Sequence, residues 1–375
     1  MWLTACAAAM ALSGCGGGSA SGPAVEQGSA VPVVDTVSPA PAPTPSPAPV
    51  AQAPAAVPAA ASCTARVGVN LAGAEFGNAG DKYGWGYIYP DNGTLDYFKA
   101  KGVTLIRLPV KWERLQPTPM GALDADELGR LVDTLDRAKA RGLSLVVDLH
   151  NYGRFGSDAL GSTALPEAAL ADFWKKMATA LSANPAFVGY GLMNEPHDMP
   201  SATAWPKAAQ LAVDAIRTVD PAKRIYVAGD GWSSAQNWDA LNPNLKITDP
   251  AGNFRYEAHQ YFDKWASGTY QSSYDADGAY PALGAERLQP FVNFLKRTGA
   301  KGFIGEYGVP ADDARWLAVM DNFLAAATGA GVDATYWAAG QWWGSYPLSV
   351  QPADGNDKPQ MAVLQRHMAA GACPL

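Results

Sequence analysis

Residues 125–149 read Ala-Asp-Glu-Leu-Gly-Arg-Leu-Val-Asp-Thr-Leu-Asp-Arg-Ala-Lys-Ala-Arg-Gly-Leu-Ser-Leu-Val-Val-Asp-Leu, and a change of period within them decides the fold. Leu128, Leu131, Val132, Leu135 and Ala138 recur at helical spacing, which predicts a helix over Ala125–Arg141 that Gly142 ends. Leu145–Leu149 is instead a short, β-branched apolar run and reads as a strand. The alternation continues in both directions. Strands are expected near Val67–Leu71, Thr104–Pro109, Val188–Met193, Ile225–Ala228, Phe254–His259, Gly302–Gly305 and Ala334–Ala338. Helices are expected at Glu167–Ser182, Ala204–Thr218, Ala285–Thr298, Asp312–Thr328 and near Gln360–Ala370. Eight strands alternating with helices predict an α/β fold of the closed (β/α)8 barrel type rather than an open doubly wound sheet. No glycine-rich phosphate loop follows any strand, and Gly16-Gly17-Gly18 falls elsewhere.

The barrel is expected to occupy residues 63–375. Before it, residues 16–62 are rich in Pro, Ser, Ala and Gly, with Pro39, Pro41, Pro43, Pro45, Pro47 and Pro49 in close succession. Such a segment cannot bury a core, and as an extended spacer it would hold an enzyme tens of Å from a surface. Residues 1–15 form a short apolar leader ending in Leu12-Ser13-Gly14-Cys15, which resembles a bacterial lipobox with Cys15 as the lipidated residue; a basic residue after Met1 is missing. Cleavage nearby without lipidation is the other reading. Either way the chain is expected to be exported, to meet a membrane only through such an anchor, and to be a monomer. Cys63 and Cys373 bracket the predicted barrel, which in an exported protein reads as a disulfide joining its ends; two free buried thiols are the alternative.

A net charge of −7, with no Lys/Arg cluster, argues against a nucleic-acid partner, because phosphate backbones are bound through such clusters. Twelve Trp and fifteen Tyr offer flat faces of the kind on which neutral sugar rings stack.

In a barrel of this type the chemistry lies at the C-terminal strand ends, and polar groups gather there. The second strand ends in Ile106-Arg107-Leu108-Pro109, the third in Asp148-Leu149-His150-Asn151 and the fourth in Met193-Asn194-Glu195-Pro196. The sixth runs through Glu257-Ala258-His259-Gln260-Tyr261, the seventh into Ile304-Gly305-Glu306-Tyr307-Gly308 and the eighth into Tyr336-Trp337. With the opening Gly68-Val69-Asn70-Leu71-Ala72-Gly73, the stretch from Val67 to about Ala370 resembles glycoside hydrolase family 5. Asn-Glu-Pro, His-x-Tyr and Gly-Glu-Tyr-Gly, in that order, carry the resemblance.

The resemblance implies a retaining mechanism with Glu195 as acid/base and Glu306 as nucleophile, their carboxyl groups about 5–5.5 Å apart. It further implies that His150 binds sugar hydroxyls, that His259 and Tyr261 orient the catalytic carboxyls, and that Trp337 is a stacking platform. On physical grounds Arg107 would favour the ionised form of Glu306, while Glu195, with less positive charge near it, would keep its proton. Asn194 would donate to the sugar 2-hydroxyl. The plainer readings are a structural ion pair for Arg107, a capping residue for Asn194, satisfied structural histidines and a core Trp337. Zinc is the rival reading of His150 and His259, but further ligands at suitable spacing are missing from the sequence, so neither metal nor cofactor is expected. Tyr152, Trp232, Trp265, Trp342 and Trp343 fall on loops where further sugar subsites would lie, and Glu75 and His197 stand close to the same ends.

The expected activity is therefore that of an endo-β-1,4-glucanase acting on cellulose or a related β-1,4-glucan. A β-mannanase or xyloglucanase of the same family is the alternative, and a silent carbohydrate-binding barrel is a more distant one.

Overall fold

The computed structural model describes residues 65–352 and 355–368. The leader, the linker and Cys15, Cys63 and Cys373 lie outside the described residues. Within them, the strands β1 (Val67–Leu71), β2 (Leu105–Val110), β3 (Ser144–Leu149), β4 (Phe187–Gly191), β5 (Arg224–Ala228), β6 (Phe254–His259), β7 (Gly302–Glu306) and β8 (Asp333–Ala339) close into one all-parallel barrel. Each predicted strand is present within two residues of its expected limits. The predicted helices are present as α2 (Ala125–Lys139), α3 (Ala168–Leu181), α4 (Ala204–Arg217), α5 (Leu283–Thr298), α6 (Arg315–Gly329) and α7 (Pro359–His367), after an unpredicted α1 (Asn92–Ala100). None of the helices among the described residues is long and apolar enough to cross a membrane.

Local chemistry explains the borders. Asp124 caps α2 by accepting from the Glu127 amide. Acidic residues sit in its first turn and basic ones in its last, as the helix dipole favours. Gly142, at φ +62°, then takes the left-handed turn that ends the run. Between helices and sheet, Trp112, Trp174, Trp205, Trp238 and Trp316 are fully buried. Two of these indoles also reach strand ends: Trp174 Nε1 donates to the Leu192 carbonyl (2.9 Å) and Trp205 Nε1 to that of Ala228 (2.8 Å). Core packing thus fixes the backbone that leads into the barrel mouth.

The lumen is layered. Leu105, Val146, Tyr226 and Phe303 form an apolar plug of their own. Because alternate residues of a strand share a face, the residues two further on from Leu105 and Val146, Arg107 and Asp148, occupy the level above it. Asn70, paired with Arg107, and Glu257 join them there. All four are buried. A charged layer between an apolar plug and the mouth is costly unless every member is paired, and that requirement shapes the site.

Candidate active site

Arg107 is the centre of this layer. Its Nη1 donates to Asn70 Oδ1 (2.9 Å) and Glu306 Oε1 (3.0 Å), and its Nη2 to Asn194 Oδ1 (2.7 Å). The same guanidinium lies 2.9 Å from Asp148 Oδ1 and, through Nε, 3.0 Å from Glu257 Oε1. Burial opposes its charge, but Asp148, Glu257, Glu306 and Glu195 together hold it charged. Tyr261 donates to the other oxygen of Glu306 at 2.8 Å. Burial, reinforced by Glu306, pushes that phenol well above its usual range, so it stays a donor. Both oxygens of Glu306 are therefore fixed.

Glu195 is more open, its side chain 15% exposed against 5% for Glu306. Its φ is +42°, a conformation that costs a non-glycine residue about 1–3 kcal/mol and that collects at functional sites. The surrounding chain holds it there. Asn194 N–H donates to the Leu149 carbonyl, His197 Nδ1 to the Glu195 carbonyl, and Trp232 N–H to the Pro196 carbonyl.

His259 Nδ1 donates to Glu195 Oε1 at 2.7 Å and its Nε2 lies 3.3 Å from Glu257 Oε1. Burial alone would keep this ring neutral, but Glu306, Glu195 and Glu257 outweigh it and push the imidazole up to about 10. Glu195 thus has one cationic neighbour, His259, whereas Glu306 has Arg107 at 3.0 Å and His259 at 3.7 Å, so it has less positive charge near it than Glu306, but not none. The signal was out of reach because the contact spans 64 positions of sequence.

His150 behaves in the opposite way. Burial lowers it to about 3, so the neutral ring donates from Nδ1 to Asp148 Oδ2 (2.9 Å) and accepts at Nε2 from Asn194 Nδ2 (3.3 Å). Asn194 keeps one amide hydrogen for a ligand. Trp337 lies flat on His150, ring centres 5.2 Å apart and planes 9° apart, and meets Trp343 edge-on.

The remaining candidates divide. Tyr152, His197 and Trp232 form an aromatic ledge beside Glu195, with His197 and Trp232 stacked 3.4 Å apart. Trp232, Trp265 and Trp342 are exposed, whereas Trp343 is packed against Phe76 and Tyr346. Glu75 is buried, accepting from the Gly73 amide. Trp85, which the sequence reading passed over, is 87% exposed on the loop after β1. Every exposed Trp among the described residues lies on a loop that follows a strand. Every Trp in a helix is buried.

One donor atom each from Glu195, His259 and Glu306 lies within 4.8 Å of the others, a set that could in principle hold a cation. Two carboxyl groups face one another at the mouth, one held by a guanidinium and a phenol, the other by an imidazolium.

Comparison with known proteins agrees with this geometry. The sequence profile of cellulase (glycosyl hydrolase family 5) matches residues 66–342. Endo-beta-1,4-glucanase B of Aspergillus niger is 34% identical over 293 residues, 77% of this chain and 85% of that one. Among solved structures, Pseudomonas stutzeri endoglucanase Cel5A in complex with cellobiose is 41% identical with a TM-score of 0.79, covering 83% of this chain and 94% of that one. XacCel5A in complex with cellopentaose is 36% identical with a TM-score of 0.76, covering 81% and 99%.

Proposed function

Because the chain belongs to glycosyl hydrolase family 5, the cellulases, we propose that it is a retaining endo-β-1,4-glucanase in which Glu306 is the nucleophile and Glu195 the acid/base. The observation that carries this reading is that one carboxylate oxygen of Glu195 lies within 4.8 Å of one of Glu306, too close to leave the room for a water that an inverting pair keeps. Retaining glycosidases separate theirs by about 5–5.5 Å and inverting ones by about 6.5–9.5 Å, to admit a water.

In the first step Glu306 attacks the anomeric carbon, the glycosidic C–O bond breaks, and Glu195 gives its proton to the departing oxygen. In the second, Glu195 takes a proton from water, whose oxygen displaces Glu306 from the sugar. The contacts support this division. Glu306 accepts from two fixed donors, which suits a group that must aim one lone pair. Glu195 is the more exposed and adjoins the Tyr152–His197–Trp232 ledge, where a leaving chain would rest. His259 stabilises the carboxylate left on Glu195 after it gives up its proton. The free amide hydrogen of Asn194 suits the 2-hydroxyl of the sugar, and Trp337 supplies the flat face beneath it.

Reducing-sugar release and viscosity loss measured on carboxymethylcellulose, galactomannan and xyloglucan test the reading. Carboxymethylcellulose should be cut fastest, with viscosity falling ahead of sugar release, and Glu195→Gln should abolish the cut. A wild-type enzyme idle on every substrate would overturn it.

For export, we read residues 1–15 as a signal segment lipidated at Cys15 and residues 16–62 as a tether to the catalytic unit. Lipid labelling that Cys15→Ser abolishes would support this. Equal labelling before and after would refute it.

A further inference from the structure

We propose that Glu257, a residue with no assigned part in the reaction, is the positioning residue that couples the two catalytic glutamates, one carboxylate oxygen gripping Arg107, which holds Glu306, and His259, which holds Glu195 at 2.7 Å and reaches Glu306 at 3.7 Å. Glu257 Oε1 lies 3.0 Å from Arg107 Nε and 3.3 Å from His259 Nε2. The far side of the guanidinium reaches Glu306 at 3.0 Å, and the far side of the imidazole reaches Glu195 at 2.7 Å. No other carboxylate among the described residues pairs with both Arg107 and His259 while standing outside the reacting pair. The inference rests on the proposed roles of Glu195 and Glu306 and deepens them.

The fold builds room for this arrangement. Glu257 and His259 are two apart on β6 and so face the same way into the lumen. Opposite them stands Gly305, where a β-carbon would fall 2.0 Å from Glu257 Oε1 and 2.7 Å from His259 Nε2. Glycine in that position, directly before Glu306, leaves the space that the carboxylate and the imidazole share. Glu257 is 1% exposed. A carboxylate so buried costs stability unless fully paired, and here its partners are the two cations of the site. Charge balance gives it a further task. Without Glu257, Arg107 and His259 would face Asp148, Glu195 and Glu306 alone, and the imidazolium would lose the anion that anchors its rear nitrogen. The ring could then turn or lose its proton, and Glu195 would lose its 2.7 Å contact.

The test compares wild type with Glu257→Gln, which keeps size and shape but removes the charge, with rates expressed per active site titrated by a slow fluoro-cellobioside. Two substrates are used: cellotetraose, which needs a protonated leaving oxygen, and dinitrophenyl β-cellobioside, whose leaving group departs without acid help. Through the His259 arm, kcat on cellotetraose should fall about 10- to 100-fold with KM moved by less than about threefold. Through the Arg107 arm, kcat/KM on the dinitrophenyl substrate should fall as well. His259 is one of four histidines, so its ring signals can be followed by NMR, and in the variant they should lose their imidazolium signature at a lower pH than in wild type. Turnover per titrated site within about twofold of wild type, full recovery on the dinitrophenyl substrate, or unmoved His259 signals would each overturn the proposal. A wild type that cuts no β-1,4-glucan would instead remove the reading beneath it, so the two failures are distinguishable.

Discussion

Arg107 Nη1 lies 3.0 Å from Glu306 Oε1, and the guanidinium, which has no solvent exposure, cannot exchange that carboxylate for water. The contact is one of five that the same group makes to Asn70, Asp148, Asn194, Glu257 and Glu306. A lysine carries the charge as a single compact ammonium and cannot span that fan. Arg107→Lys is therefore expected to lower kcat/KM by at least about 100-fold on every substrate. It should also cost on the order of 3–5 kcal/mol of stability, as removal of one partner from a buried ion pair does. Urea unfolding and initial rates check both, and a variant with near-native turnover would show that the fan is only structural.

Glu75 makes the opposite kind of contribution. Its Oε2 accepts from the Gly73 amide, while Oε1 is buried with no protein partner among the described residues. Burial, assisted by Asp148, pushes its carboxyl up to about 8 in spite of that amide. The unfolded chain releases this proton near pH 4.5, whereas the folded chain keeps it to about 8. The native state thus binds the extra proton between those values, and stability must fall as pH rises through that window, then level off. Glu75→Gln removes the effect. It should match wild type near pH 4 and exceed it by about 4 kcal/mol at pH 7.5, which lies three units above the unfolded value of 4.5, at roughly 1.4 kcal/mol per unit. Urea unfolding at the two pH values decides the matter; a constant offset between the two proteins would refute the assignment.

Much of this site was legible because its residues end strands, and strand ends are where an apolar run stops. Glu195 follows Leu192-Met193-Asn194, Glu306 follows Ile304-Gly305, and each stands out against what precedes it. Asp148 and Glu257 were harder to read because they lie inside strands, where a charge has no local reason to be. A signal did exist. Asp148-x-His150 and Glu257-x-His259 share a spacing that on a strand sets an acid beneath each histidine, and both acids touch those rings. Which histidine would be charged could not be read, because the answer depends on Glu195 and Glu306 arriving from other strands. Helix α1 was missed for a local reason. It begins Asn92-Gly93-Thr94, poor helix formers, and forms because Asp91 caps the Thr94 amide and Leu95 and Phe98 are buried.

We propose that Cys63 and Cys373, which lie outside the described residues, pair with each other, and the nearest described stretches are compatible with that. Each barrel helix returns to the base from which the next strand starts. Helix α7 ends near that base, since Gln365 Nε2 donates to the carbonyl of Lys101, which precedes β2. Residue 65, at the start of β1, belongs to the same end. The mature protein is thus expected to show no free thiol under denaturing conditions until reduced, and then two. Closing so long a loop should contribute on the order of 4–5 kcal/mol. Unfolding with and without reductant measures this, and a thiol titrated before reduction would exclude the bridge.

Trp232 is the most specific of the exposed aromatic residues, because one face is spent on His197 and the other is open. The rings lie 3.4 Å apart and 12° from parallel, yet the indole is still 51% exposed. Such a ring is stiff, held by its neighbour and by the backbone bond to Pro196, so stacking a sugar on it costs little ordering. It stands beside Glu195, where the departing chain lies on the proposed acid/base role of that residue. Trp232→Ala should therefore weaken binding of that part of the substrate alone. With about 1 kcal/mol for an aromatic stacking contact, kcat/KM on cellopentaose should fall roughly fivefold. Dinitrophenyl β-cellobioside, which places no sugar there, should be cut at the wild-type rate. Equal losses on the two substrates would mean that Trp232 shapes Glu195 through His197 instead of holding glucan.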